Sequence, residues 1–293
     1  MITDQETNFV YFSELFKQRF ELEYSEITSI LARHEIGFDC LPETKDIWCR
    51  DYMPIQISET EFIEYRFDPD YLQAKKYRKL KTYPDLVCDK IGLKTIKSDL
   101  IIDGGNVIKS KNGLILTDKI VPENTDFYSK SQLLNILKRT FKVDKITIIP
   151  WDKEDENEYF GHADGMVRFI DKNKVLINGY FKEYSEKFQN YFFGELKKSG
   201  LEFIEFKFDV KIPNEKLNWG YINFLQTKNV IIIPQFGIDE DEQAFAQFVK
   251  IFPEYAKKNR IEKVNATRII EGGGVLNCMT WNIKKQKTFG NKM

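Results

Sequence analysis

Short apolar runs broken by a Lys-Asn turn recur along this chain. Val107-Ile-Lys-Ser-Lys-Asn-Gly-Leu-Ile-Leu-Thr117 reads as two strands around a tight turn, because Asn and Gly accept the positive φ that such hairpins need. Val167-Arg-Phe-Ile-Asp-Lys-Asn-Lys-Val-Leu-Ile-Asn178 and Ile222-Asn-Phe-Leu-Gln-Thr-Lys-Asn-Val-Ile-Ile-Ile233 follow the same grammar. Each hairpin leads into a stretch of helical character, over 127–141, 182–199 and 240–258. In the first of these, Leu133, Leu134, Leu137 and Phe141 keep the spacing of one helix face. An apolar strand follows in each case, at 146–149, 203–208 and 263–270. The unit is strand, strand, helix, strand. It returns every fifty to sixty residues or roughly so, a period that belongs to repeat architectures.

The pattern extends in both directions. Residues 51–67 predict a hairpin, 73–91 a helix and 94–102 a strand. At one end, 275–283 predict a hairpin with no helix after it. At the other, 9–34 predict a helix and 37–41 a strand, with no hairpin before them. Joined, the two ends complete a fifth unit. The expected fold is therefore α/β, a five-bladed pseudo-symmetric propeller of ββαβ repeats closed by its own termini. The whole of 1–293 is expected to form a single domain, with 284–293 a frayed basic tail. Ile101-Ile-Asp-Gly-Gly-Asn-Val-Ile108 resembles Ile269-Ile-Glu-Gly-Gly-Gly-Val-Leu276, and on that alignment Cys278 falls where Ser110 stands. Glycines within such strands permit positive φ or a close approach of backbone or ligand. Neither segment gives G-x-G-x-x-G opening a helix, so a dinucleotide loop is excluded.

Composition narrows the field without deciding it. A net charge of -1 gives no global basic footprint for nucleic acid. No apolar run is long enough to cross a membrane, and Met-Ile-Thr-Asp-Gln-Glu lacks a signal-peptide pattern. A cytoplasmic protein with free thiols is expected. Cys40, Cys49, Cys88 and Cys278 fit no zinc spacing, and with only His34 and His162 available neither a metal site nor a cofactor is expected. Cys40, Cys49 and Cys88 read as small buried hydrophobes, and His34 as a cap on the end of its helix. The oligomeric state is left open, a homodimer included.

In a closed ring the first strands of the units converge on the axis. They would gather Asp51, His162, Asp164, Asn223 and Cys278, none of which neighbours the others in sequence except the His-x-Asp pair. On a strand that pair shares one face, ~6.6 Å apart. A thiolate beside an imidazolium can have its pKa lowered to ~3.5–7.5, which makes Cys278 a candidate nucleophile with His162 its proton carrier. Several carboxylates in one pocket suit an anionic acyl intermediate poorly and a cation well. A guanidinium offers five N–H donors in a planar fork, and Asp51 and Asp164 could hold both its edges while Cys278 attacks the central carbon. The acidic run Asp152-Lys-Glu-Asp-Glu-Asn-Glu158 precedes His162 and could attract a second cationic group, with Glu158 the nearest candidate.

Five motifs in order, Trp48-x-Arg-Asp51-x-x-Pro54, Gly161-His-x-Asp-x-x-x-Arg-Phe169, Tyr221-x-Asn-Phe224, Pro234-Gln-Phe-Gly237 and Gly272-Gly-Gly-x-x-x-Cys-x-Thr280, resemble the agmatine deiminase and bacterial peptidylarginine deiminase family. The resemblance covers nearly the whole chain. It implies the pentein fold, Cys278 as nucleophile, His162 as general acid/base, and Asp51 and Asp164 as the guanidinium clamp. It also implies a supporting role for Asn223 and packing of Trp48 along the substrate's aliphatic arm. The reaction it implies is hydrolysis of a guanidine, agmatine foremost, to a ureido product and ammonia. Free or peptidyl-arginine deimination, amidino transfer to an amine, and a non-catalytic guanidine binder are the alternatives. The chain is short for the family and departs from its pattern at Asn277, at Trp281 and at Asp103-Gly-Gly, all expected around the cleft.

Overall fold

The computed structural model describes residues 1–153, 160–211, 214 and 216–286, and within them the strands form five three-stranded sheets. Along the chain come β1 (Phe9–Ser13), β2 (Gly37–Leu41), β3 (Ile55–Gln56), β4 (Phe62–Arg66) and β5 (Ile96–Ile101). They are followed by β6 (Ile108–Lys109), β7 (Gly113–Thr117), β8 (Lys145–Ile149), β9 (Val167–Asp171) and β10 (Lys174–Asn178). The last are β11 (Glu202–Phe206), β12 (Leu225–Gln226), β13 (Ile231–Gln235), β14 (Ile261–Asn265) and β15 (Thr280–Ile283). Four sheets use consecutive strands, and the fifth has the order β15-β1-β2. In every sheet the middle strand runs antiparallel to its hairpin partner and parallel to the strand beyond the helical crossover. A parallel pair needs such a crossover, which is why each unit carries a helix.

The helices bury one row each. Leu133, Leu137 and Phe141 line Lys130–Phe141, and Phe188, Phe192 and Leu196 line Glu186–Lys198. Four-residue spacing keeps each row on one face, and each buried large apolar side chain contributes ~1.5–3 kcal/mol. Ser129 and Ser185 cap these two helices by accepting from Gln132 N and Phe188 N.

Several expected elements differ. Residues 9–13 are a strand, not the start of a helix: Val10 and Phe12 enter one core and Tyr11 another, the alternation of a sheet. The helical part is split into Glu14–Arg19 and Glu21–Arg33. The expected hairpin over 275–283 is a single strand, β15, whose antiparallel partner is β1, with Phe9 opposite Ile283. The expected helix over 73–91 is reduced to Pro84–Lys90. That over 240–258 breaks at Phe252, because the residue before Pro253 is driven out of the helical region. Strand β14 stops at Asn265, and Thr267–Ile270 turns helically. In the tail, Lys284 N donates to Gln56 Oε1 and Lys285 N to Asn8 Oδ1, so its first residues are pinned, while 287–293 lie outside the described residues.

A tight turn precedes the first strand of every blade. Cys49–Tyr52 precedes β3, Gly104–Asn106 precedes β6, Ala163–Gly165 precedes β9 and Asn218–Ile222 precedes β12. Asn106, Asn223 and Cys278 each stand two residues ahead of their strand, so the structural counterpart of Cys278 is Asn106 rather than Ser110. His162 and Asp164 belong to one of these turns and not to a strand, so strand spacing does not govern them.

Candidate active site

The turns bring Asp51, His162, Asp164, Asn223 and Cys278 together, all buried. Two adjoining spaces of about 210 and 40 Å³ share Cys278, His162 and Phe160. Asp164 lines the larger, while Asp46, Trp48 and Asp51 line the smaller. Glycine makes this approach possible. A Cβ on Gly105 would stand 2.5 Å from His162 Nδ1 and 2.7 Å from Asp51 Oδ1, and one on Gly104 1.9 Å from the Arg50 carbonyl. Gly272 and Gly274 leave room for the Trp48 ring in the same way.

Cys278 Sγ lies 3.3 Å from Asp164 Oδ2, to which its thiol donates, and accepts from Asn223 Nδ2 at 3.1 Å. Asn223 Oδ1 accepts from the backbone N–H groups of both Asn277 and Cys278, at 3.1 and 3.2 Å, which fixes the nucleophile's turn. Asn277, a departure from the expected pattern, donates through Nδ2 to Asp164 Oδ2 at 2.7 Å. Trp281 is elsewhere: its indole N–H donates to the Pro54 carbonyl at 2.8 Å and its ring stacks on Tyr11, inside the core. The expectation that Trp281 borders the cleft is corrected accordingly, since alternation along β15 turns it away.

His162 has a different set of partners. Its Nε2 is 2.8 Å from Asp103 Oδ2, close enough for an ion pair though not aligned as a hydrogen bond, and its Nδ1 is 3.8 Å from Asp51 Oδ1. Tyr71 Oη donates to the same Asp103 oxygen. Burial alone would lower the imidazole, but the carboxylates of Asp103 and Asp51 outweigh it and carry it up to about 10. Asp51 is pushed well above the carboxylate range by burial first and Asp103 second, against the pull of His162. Its Oδ1 is buried without a hydrogen-bond partner. Burial, then Asp164 and Asp51, push the Cys278 thiol well above its usual value. The expectation of a thiol lowered by His162 is thus reversed. Among the described residues the imidazole is engaged by carboxylates, and the thiol faces one.

Asp103 was expected around the cleft but without a role as a site residue. Its signal was the Asp-Gly-Gly match to Glu271-Gly-Gly, which places both acids at blade entrances; Glu271 lines the larger space. Glu158 lies outside the described residues. Asp152, from the same acidic run, is buried, lines the larger space and accepts from Tyr184 Oη. Asp51, Asp103 and His162 place donor atoms within 4.8 Å of one another, but an imidazole held as a cation is a poor metal ligand. Cys49 and Cys88 are buried as expected; Cys40 is only half-buried, with Sγ 3.5 Å from Tyr24 Oη. His34 Nε2 lies at hydrogen-bond distance, 2.7 Å, from Glu262 Oε1.

The family profile of Porphyromonas-type peptidyl-arginine deiminases matches residues 17–283. The chain belongs to this family. A protein of Photobacterium profundum named "Putative agmatine deiminase" is 21% identical over 229 residues, covering 68% of this chain and 62% of that one. The chain thus spans less than two thirds of the length of that curated relative. The C. jejuni agmatine deiminase, as a cysteine-to-serine variant with substrate bound, aligns with a TM-score of 0.75 at 19% identity, over 97% of this chain and 96% of that one. The agmatine deiminase of Enterococcus faecalis aligns with a TM-score of 0.68 at 17% identity, over 96% and 94%. These likenesses establish the five-bladed pentein fold for this deiminase-family chain. No helix among its described residues is long and apolar enough to cross a membrane.

Proposed function

We propose that this chain hydrolyses a C–N bond of a guanidinium, releasing ammonia and a ureido product, with Cys278 as nucleophile and agmatine as the preferred substrate. One observation carries the reading. Cys278 Sγ sits against the Asp164 carboxylate, in a cavity where Asp51 holds a buried oxygen that accepts no hydrogen bond. Two carboxylates flanking a thiol fit a planar cation with N–H donors on both edges. Burial first, and then the two carboxylates, hold the thiol neutral in the free site; an entering guanidinium offsets the carboxylates' share, so substrate binding itself favours the thiolate.

The thiolate attacks the guanidinium carbon, and a C–S bond forms. His162, held protonated by Asp103 and Asp51, gives its proton to the departing nitrogen, which leaves as ammonia. The thiouronium left on Cys278 is attacked by water, whose proton returns to His162. The C–S bond breaks, and the ureido product and thiolate separate. Covalent catalysis divides one hard displacement into two easier ones. Trp48 packs along the aliphatic arm, and Asn223 steadies the nucleophile's turn. Asp152 and Glu271 in the larger space favour a substrate with a second positive group, as in agmatine, over a free arginine carboxylate. A reducing, cytoplasmic setting suits this thiol. The whole chain acts as one catalytic domain without a metal or cofactor.

Ureido formation from agmatine, free arginine and arginine peptides, measured alongside Cys278→Ala, tests the reading. Agmatine is expected to give the highest kcat/KM, with turnover abolished in a folded Cys278→Ala. Undiminished ureido production by that variant overturns the assignment. A new guanidine product on adding acceptor amines would make the protein a transferase instead.

A further inference from the structure

A second cavity is lined by groups of the opposite charge. Lys109 follows Asn106 by three positions and Arg168 follows Asp164 by four. Lys109 lies in β6 and Arg168 in β9, the strands that leave these two turns. With Arg50 and Asn277 they line a separate cavity of about 300 Å³. Arg50 and Arg168 are buried there and Lys109 is half-buried with its side chain covered, and among the described residues the carboxylate paired with them is the half-buried Asp4. Three cations against one paired carboxylate leave two positive charges in excess at the cavity wall. Lys111 and Lys172 at the rim outnumber Asp171.

The bonds present do not exhaust these groups. Asp4 Oδ1 is 3.2 Å from Lys109 Nζ, and its Oδ2 accepts from Arg168 Nη2 at 3.0 Å. Among the described residues, Asp4 is the ion-pair partner of Lys109. Arg50 donates through Nε to the Asn277 carbonyl at 3.3 Å and through Nη2 to Asn282 Oδ1 at 2.6 Å, two of the five N–H groups a guanidinium offers. Burial, with Arg50 and Arg168 adding to it against Asp4, lowers the Lys109 ammonium. A surplus of buried cations is costly unless something neutralises it.

We propose that this cavity binds a small dianion, a phosphate in the first instance, and that its occupancy is felt in the catalytic cavity through Arg50 and Asn277. A dianion matches the two uncompensated charges. The connection is short. Arg50 is followed by Asp51, and its N–H donates to the Cys278 carbonyl at 3.0 Å. Asn277 accepts from Arg50 on one side and holds Asp164 on the other. The linkage rests on the proposed guanidine chemistry, whereas the binding does not.

Calorimetric titration of the full chain with inorganic phosphate at constant ionic strength tests the binding, with chloride as control and succinate as the dicarboxylate arm. One saturable site is expected for phosphate. Lys109→Gln is expected to weaken it at least tenfold, and Asp4→Asn, which removes the internal counter-charge, to tighten it severalfold. Circular dichroism establishes that each variant is folded, and Lys172→Ala at the rim, expected to weaken binding two- to threefold, serves if Lys109→Gln is not. No saturable phosphate binding, or binding unchanged in the folded variants, overturns the site. Tighter succinate than phosphate assigns it to carboxylates and overturns the phosphate assignment. For the linkage, phosphate is expected to shift KM for the guanidine by the factor by which the guanidine shifts phosphate affinity. Phosphate bound with no such shift, in an active enzyme, overturns the linkage alone.

Discussion

Replacing Asp103 by Asn removes the closest negative charge from His162 while keeping the shape of the side chain. The imidazole stands at about 10 against an ordinary 6.5, with Asp103 at 2.8 Å and Asp51 at 3.8 Å. A contacting opposite charge is worth ~1–3 pKa units, so Asp103→Asn is expected to bring His162 down to roughly 7–9. The chain has two histidines, and His34, beside Glu262, serves as an internal control. Ring-labelled histidine followed by NMR across neutral and alkaline pH reads the shift directly. Stability changes with a definite sign. A folded pKa raised above 6.5 stabilises the protein fully below 6.5, and the contribution is lost as pH rises through about 10. Each unit of difference is worth about 1.4 kcal/mol, so the variant is expected to lose less stability than the parent between those limits. The alkaline limb of the activity profile is expected to move down with the imidazole. A His162 that still titrates near 10 in Asp103→Asn would refute the claim that this carboxylate holds it protonated.

Four further outcomes follow from the geometry. Gly105→Ala drives a methyl group into His162 and Asp51, and a misplacement of that size is expected to cost ~100-fold or more in kcat with the fold retained, read by steady-state kinetics and circular dichroism. Asn277→Asp sets a second carboxylate against Asp164 in place of a donor; kcat/KM is expected to fall at least ~10-fold near neutral pH and to recover in part on acidification. Trp281→Phe strands the Pro54 carbonyl in the core and is expected to cost ~1–3 kcal/mol in denaturant unfolding, while kcat/KM stays within about twofold because Trp281 does not line the cavity. Alkylation of Cys278 in the free protein is expected to accelerate only above the ordinary thiol range, and a small guanidinium such as methylguanidine to bring that onset to lower pH. An onset unmoved by the cation would remove the basis for substrate-promoted ionisation.

The blade grammar was legible because its signals are local. Lys-Asn turns, β-branched runs and four-residue apolar rows such as Leu133, Leu137 and Phe141 each announce an element within a dozen residues or so. The count of five followed from those signals, and so did the need for the two ends to meet. What escaped depended on distant partners. Phe9-Val-Tyr-Phe12 carries no period that separates strand from helix, and its strand character comes from β15. The convergence of Asp51, His162, Asp164, Asn223 and Cys278 was foreseeable from the ring, but their pairings were not. Asp103 and His162 are far apart in sequence, and only the turns before β6 and β9 bring them into contact. Trp281 looked like an anomaly of the cleft because its neighbour Thr280 belongs to the motif. The side to which a strand residue points depends on register, which the motif does not record.

The fifth blade also bears on how the protein is made. Its central strand, β1, is synthesised before the other four blades, and its antiparallel partner, β15, after them. Closing Phe9 onto Ile283 spans some 274 residues, an entropic cost of about 5 kcal/mol for a flexible chain. The intervening blades reduce that cost by folding first. Until β15 arrives, β1 is a bare sheet edge, and the thiol two residues ahead of β15 has no Asp164 or Asn223 beside it. Synthesis that stops short therefore leaves both an adhesive edge and an incomplete cavity. A permutant that joins the present ends and opens the chain between two other blades would turn this late closure into a local hairpin.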